Sequence, residues 1–186
     1  MRKTSLFLLI AAGAVGLAAG AASASVTVMG GGNARDCSLA AFRGETSYRF
    51  EALCTQALET ELLSARDRAG TLVNRGVFKL RRNEYEKANG DFNRAVELQP
   101  KLGEAYVNRG AAAIGAKRYA DGLADLNKAI EFGIEEPEKA YYNRALAFEG
   151  LDDLKAAYFD YQKALELSPQ WEPPRRELAR FSVERR

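Results

Sequence analysis

At 186 residues, 47% of them hydrophobic, and with a formal net charge of +2, the chain has room for one domain with appendages and enough apolar content to bury a core. Histidine is absent, which removes Ser-His-Asp and Cys-His nucleophile pairs, imidazole acid-base chemistry and nearly all zinc catalysis. The first 24 residues hold Arg2 and Lys3 but no acid, so the remainder balances its basic residues against 25 acidic ones; a formally neutral chain lacks the net basic face that nucleic-acid binding needs.

Residues 1–24 read as a secretory signal peptide: a basic start, an apolar run from Leu6 to Ala22, then Ala22-Ser23-Ala24 in the small-x-small pattern of a leader cleavage site. Cleavage is expected after Ala24, giving an exported chain, in a bacterial periplasm, with no membrane attachment once the leader is gone. The alternative is an uncleaved membrane anchor, for which the run is marginal in length. A lipid anchor at Cys37 is disfavoured, because Asn33-Ala34-Arg35-Asp36 lacks the aliphatic and small residues such a site requires.

Residues 25–35 read as a flexible linker, a short Val26-Thr27-Val28 run followed by Gly30-Gly31-Gly32-Asn33. A short helical turn is expected from Asp36 to Arg43, broken by Gly44. Thr46 or Ser47 then caps a helix from Tyr48 to about Arg68, whose apolar stripe of Phe50, Leu53, Cys54, Ala57, Leu58, Leu62 and Ala65 is interrupted only by Glu61. Residues 36–68 are thus expected to form an N-terminal capping region. Two cysteines in an exported chain imply a disulfide between Cys37 and Cys54, with a pair of free buried thiols as the alternative. Without a Cys-x-x-Cys spacing, a redox-active pair is disfavoured.

The body of the chain repeats itself. Asn74-Arg75-Gly76, Asn108-Arg109-Gly110 and Asn143-Arg144-Ala145 recur at spacings of 34 and 35 residues. Each is followed by a second phrase: Asp91-Phe92-Asn93-Arg94-Ala95, Asp125-Leu126-Asn127-Lys128-Ala129 and Asp160-Tyr161-Gln162-Lys163-Ala164. A period in this range means stacked supersecondary units. Small residues recur where helices must touch (Ala88, Gly122, Ala157), and larger apolar ones fill the remaining contacts (Tyr85, Tyr119, Leu154). Pro100 and Pro169 close two units, with Ile134 in the corresponding place of the second.

On these phrases the chain resembles tetratricopeptide repeats. The resemblance implies an all-α solenoid of three helix-turn-helix repeats (69–102, 103–136 and 138–171, together 69–171) between N- and C-terminal capping helices. The fourth position, usually aromatic in the family, holds Leu72, Tyr106 and Tyr141. The last cap, within residues 172–186, is expected as an amphipathic helix from Arg175 to about Val183 with Leu178 and Phe181 on one side; a frayed basic tail is the alternative.

Two recurrent side chains carry the site reading. Arg75, Arg109 and Arg144 each precede an aspartate by 16 residues (Asp91, Asp125, Asp160), which implies a structural ion pair copied three times, or else a row of arginines for an acidic ligand. Family resemblance places Asn74, Asn108 and Asn143 on the concave side of the first helices, lining a groove. Its apolar floor would be Val73, Val77, Val107, Ala111, Ile114, Tyr142 and Leu146. Related domains that clamp acidic chaperone tails use cations beside such asparagines. Here the neighbouring positions are Gly70, Glu104 and Lys139, and Asn143 stands where a clamp cation would, so that activity is not carried over.

The expectation is therefore a non-catalytic exported scaffold that recognises a protein or peptide segment in its groove, with no metal and no cofactor. The Asn side chains would bond the ligand backbone, unless they merely satisfy neighbouring backbone groups. Paired acids such as Asp152-Asp153 and Glu135-Glu136 lie at inter-helix turns and read as solvated charge. The alternative function is structural: self-assembly, or a groove filled by the chain's own N-terminal segment.

Overall fold

A computed structural model describes the backbone of residues 6–10, 21–29 and 32–185, and side chains within 21–29 and 32–181. Most of the expected leader therefore lies outside the described residues.

Nine helices are described in chain order: α1 (Asn33–Phe42), α2 (Tyr48–Thr60), α3 (Ala65–Arg81), α4 (Tyr85–Leu98), α5 (Gly103–Gly115), α6 (Tyr119–Phe132), α7 (Pro137–Gly150), α8 (Leu154–Leu167) and α9 (Glu172–Leu178). They pack as hairpins, α3 on α4, α5 on α6 and α7 on α8, and each second helix also packs on the first helix of the next hairpin. The first helices α3, α5 and α7 touch one another along the stack. This is an all-α solenoid with the first helices forming its inner row. None of the described helices is long and apolar enough to cross a membrane.

Within each hairpin the turn is built alike. Asn83, Lys117 and Asp152 take positive φ of 61°, 60° and 62°. The following residue's N–H then reaches back five residues, as Arg118 does to the Ala113 carbonyl at 2.8 Å. This satisfies carbonyls that the end of a helix leaves open. Close packing of the two helices depends on the small residue of the repeated phrase: a Cβ on Gly76 would lie 2.4 Å from the Phe92 ring. Phe92, Leu126 and Tyr161 are fully buried at these contacts.

Four boundaries depart from the sequence expectation. The helix read as Tyr48 to about Arg68 is two: Glu61 turns to extended backbone, and Ser64 caps a new helix by accepting from the Asp67 N–H. The reason is chemical, because the Glu61 carboxylate accepts from the Asn33 N–H at 2.6 Å and the Ala34 N–H at 3.4 Å, closing the start of α1. Accordingly α1 begins at Asn33, inside the stretch read as a flexible linker; residues 25–29 carry no regular secondary structure and Gly32 forms a bend at φ 79°. The second unit ends through Gly133 at φ 79°, and α7 then starts on Pro137, which suits a first helical position.

The fourth departure lies at the C-terminus. α9 stops at Leu178, and Phe181–Arg185 (β2) is extended, pairing antiparallel with Leu6–Ile10 (β1). Phe181 is not on a helix face; its ring packs at 5.6 Å from Tyr158 and 6.1 Å from Tyr161.

Helices α1 and α2 form a further hairpin before the first repeat, and the structure joins Cys37 to Cys54 across it. Both sulfurs are buried, with Ala40, Ala41 and Phe78 around them.

Candidate functional site: the asparagine ladder of the inner face

The repeated arginines and asparagines face different tasks. Arg75, Arg109 and Arg144 each grip the aspartate 16 residues on through both Nε and Nη2, at 2.9 and 2.6 Å, 2.7 and 2.7 Å, and 2.7 and 2.9 Å. These are two-pronged charge-assisted bonds between the helices of a hairpin. The remaining Nη1 donates backwards along the stack, from Arg109 to Asn93 at 3.0 Å and from Arg144 to Asn127 at 2.9 Å. In the first repeat Arg75 Nη1 instead reaches Thr55 on α2, so the α1–α2 hairpin stands in for a preceding unit. The bound carboxylates raise the pKa of Arg109 and Arg144. With all three arginines committed in this way, the row they form is not open to an acidic ligand.

Asn74, Asn108 and Asn143 are fully buried on the inner face. What buries them is the chain's own residues 21–29, which run extended along α7, α5 and α3 in that order. The Ala22 N–H donates to Asn143 Oδ1 at 2.8 Å, and Asn143 Nδ2 donates to the Ala22 carbonyl at 2.8 Å. Asn108 holds Ala24 the same way at 3.0 and 2.6 Å, and Asn74 holds Val26 at 2.9 and 2.8 Å. In extended backbone the N–H and C=O of one residue point to the same side, and the same side returns two residues later. Each side-chain amide thus acts as a one-residue strand edge, and the ladder steps two residues per repeat.

The ladder has a fourth, partial rung. Ser38 on α1 donates its hydroxyl to the Val26 carbonyl at 2.9 Å and accepts from the Val28 N–H at 3.4 Å. Beyond it, the Met29 N–H reaches Asp67 at 3.3 Å. Gly70, four residues before Asn74, makes room for the segment: a Cβ there would sit 2.9 Å from Val26 Cγ1 and 3.2 Å from Val28 Cγ2. Ser38 and Asp67 are not among the residues the sequence reading assigned to the groove, and Gly70 was named there only as a neighbouring position that lacks a clamp cation. A signal for Ser38 exists, since it precedes Asn74 by 36 residues, close to the repeat period.

The floor residues need a correction. Val73, Val77, Val107, Ala111, Ile114, Tyr142 and Leu146 are all buried, the most exposed of them at 5%, so they do not form an open apolar patch. Val73 and Val77 pack with Phe92, while Val107, Ile114, Tyr142 and Leu146 share a core with Ala24 and Tyr161. Ala111 and Ile114 also border a cleft of about 610 Å³ beside Ala21 and Ser23. Leu80, Arg81, Tyr85 and Lys117 line the same cleft.

Comparison with known proteins places this architecture. The family model described as "Tetratricopeptide repeat" matches residues 138–170. The Arabidopsis OM64 TPR domain superposes with a TM-score of 0.59 at 25% identity, covering 63% of this chain and 96% of that domain. The fold is a tetratricopeptide-repeat solenoid. The Hsp70-Hsp90 organizing protein of Triticum aestivum is 38% identical over 87 residues, 46% of this chain but only 14% of that protein. The first TPR of Spaghetti (RPAP3), a structure bound to the HSP90 peptide SRMEEVD, aligns with a TM-score of 0.57 at 26% identity over 61% of this chain and 90% of that one. Repeat folds of this kind present an extended surface to a binding partner.

Proposed function

We propose that this tetratricopeptide-repeat chain is a non-catalytic, exported scaffold whose inner face holds an extended polypeptide by its backbone. One observation carries the reading: three buried asparagines each give one donor and one acceptor to alternate residues of an extended segment. Amide side chains suit this because they complement a backbone edge whatever the ligand's side chains. That a related domain takes a peptide supports the same use of this face. Export to a bacterial periplasm is supported by the leader pattern at Ala22-Ser23-Ala24 and by the Cys37–Cys54 bond, since disulfides persist in oxidising compartments.

The occupant seen in the groove favours a second reading, in which residues 21–29 are a permanent strap and the scaffold binds elsewhere. The two separate by measuring binding of a labelled peptide with the sequence of residues 21–29 to a chain lacking residues 1–29, whose folding is checked by its melt. Saturable binding that is lost in the Asn74→Ala, Asn108→Ala, Asn143→Ala triple variant supports the groove. Equal binding by the triple variant, or none by either, supports the strap.

A further inference from the structure

Each hairpin of a repeat stack packs against a neighbour on both sides, so a terminal unit needs a polar outer face to stay soluble. The C-terminal end has such a cover: α9 packs on α8 and turns Glu172, Arg175 and Arg176 to solvent. The N-terminal end differs. Helix α1 packs on α2 and α3, and its outer side carries Leu39 and Phe42 at 41% and 47% exposure. Met29, at the end of the docked segment, adds a side chain 77% exposed. Residues 27–29 and this side of α1 line an open cleft of about 550 Å³, with Arg35, Ser38, Leu39 and Phe42 on the helix side. The patch does not depend on a leader being kept, since Asn74 and Ser38 hold Val26 and Asp67 holds Met29.

We propose that this end of the stack is a docking surface for a second copy of the chain, the two α1 helices packing antiparallel about a two-fold axis near Leu39. Charge placement selects the occupant. Along the exposed stripe the order is Asp36, Leu39, Phe42 and Arg43, with the acid two turns before the base on one face. In an antiparallel pair that sets residue 39 opposite residue 40 of the other copy, residue 36 falls opposite residue 43. Symmetry makes that contact twice. An interface between identical surfaces has to be self-complementary, and this stripe is so: acid meets base at both ends, with apolar side chains between. A parallel pair would instead set Asp36 on Asp36 and Arg43 on Arg43, which fixes the orientation. In the antiparallel register Phe42 falls opposite residue 37, beside Ser38, so its ring enters the cleft next to the other copy's Met29.

Size sets the strength. Stable specific interfaces bury about 1,200–2,000 Å², and a single helix face lies at the low end, so a dissociation constant of about 10–100 µM is expected. The contact closes at two copies, whereas stacking one end of the solenoid on the other would continue without limit.

The test is sedimentation equilibrium of the chain over about 1–500 µM, with melts to confirm that each variant folds. A reversible monomer–dimer equilibrium is expected; a monomer throughout, or growth beyond the dimer, overturns the proposal. Phe42→Ser should weaken the dimer about tenfold, and an unchanged dimer refutes the contact. The decisive variants are Asp36→Arg and Arg43→Asp. Alone, each sets like charges opposite one another twice per dimer and should weaken it about tenfold. Mixed, the two set base against acid at both places, so the mixture should dimerise within about threefold of the unchanged chain. Damage to α1 cannot be repaired by mixing. A mixture as weak as the singles overturns the proposal, as does a dimer that neither change affects. Asp36 also serves the first turn of α1, so Asp36→Arg is the variant at risk of misfolding. In that case salt supplies the readout: raising it from about 0.05 to 0.5 M should weaken the dimer of the unchanged chain and strengthen that of Arg43→Asp. A change in the same direction for both refutes the pairing.

Discussion

Replacing Asn108 by alanine in the full-length chain removes the middle rung of the ladder, and the expected consequence is local. Two bonds to Ala24 are lost, at 3.0 and 2.6 Å, together with one that Asn108 makes to the Glu104 carbonyl in its own helix at 2.7 Å. A neutral hydrogen bond contributes about 0.5–1.5 kcal/mol net, so losing the pair to Ala24 weakens the docked segment by about 1–3 kcal/mol. The Ala24 N–H and carbonyl are buried and would otherwise stay unsatisfied, so the segment lifts off and finds water instead of unfolding the stack. Amide exchange at Ala22, Ala24 and Val26 should therefore accelerate roughly 5- to 150-fold, while amides inside α5 and α6 keep their rates. Hydrogen exchange read by NMR decides it. Unchanged protection at Ala24, or equal acceleration throughout α5 and α6, would show that the asparagine ladder does not hold the segment as an independent unit.

Three further outcomes are expected from the geometry. Asp125→Ala leaves the Arg109 guanidinium without its two-pronged partner and should cost about 3 kcal/mol in denaturant melts; Arg109→Met with Asp125→Leu should be less damaging than the two singles added, and additive singles would refute the coupling. Gly76→Ala pushes a methyl to within 2.4 Å of the Phe92 ring and should lower stability by about 1–3 kcal/mol, a prediction refuted by an unchanged melt. Non-reduced peptide mapping of periplasmic protein should recover Cys37 and Cys54 in one linked fragment, and Cys54→Ser should cost about 3 kcal/mol because the bond closes a loop of separation 17; two free thiols would refute the pairing.

The hairpins were legible because their constraints are written in side chains with a period. Gly76, Gly110 and Ala145 must be small to admit a facing helix, and the Arg–Asp spacing of 16 carries the chain around one turn. The break at Glu61 was not legible in the same way. Its neighbours continue an apolar stripe, and the residue's real task, closing the start of α1, depends on a contact 28 positions away. The docked segment was harder still. Residues 21–29 are recognised through their backbone, which leaves no pattern in side chains, and small alanines and serines read equally well as a cleavage site. Hence the asparagines could be placed on the groove by resemblance and a groove filled by the chain's own N-terminal segment stood as the alternative reading, while the residues that fill it and their register came only from the structure.

A ladder that grips the N–H and the C=O of the same residue has a consequence for which sequences it can carry. Proline lacks the N–H, so it cannot stand at the places of Ala22, Ala24 or Val26 without leaving an asparagine oxygen unmatched in a buried site. At the alternate places, those of Ser23, Ser25 and Thr27, the backbone edge turns away from the asparagines and the objection disappears. There an imino acid would even help, because it biases the residue before it toward the extended conformation that each rung needs. The inner face is therefore a filter with a two-residue beat, strict about where a secondary amide must fall.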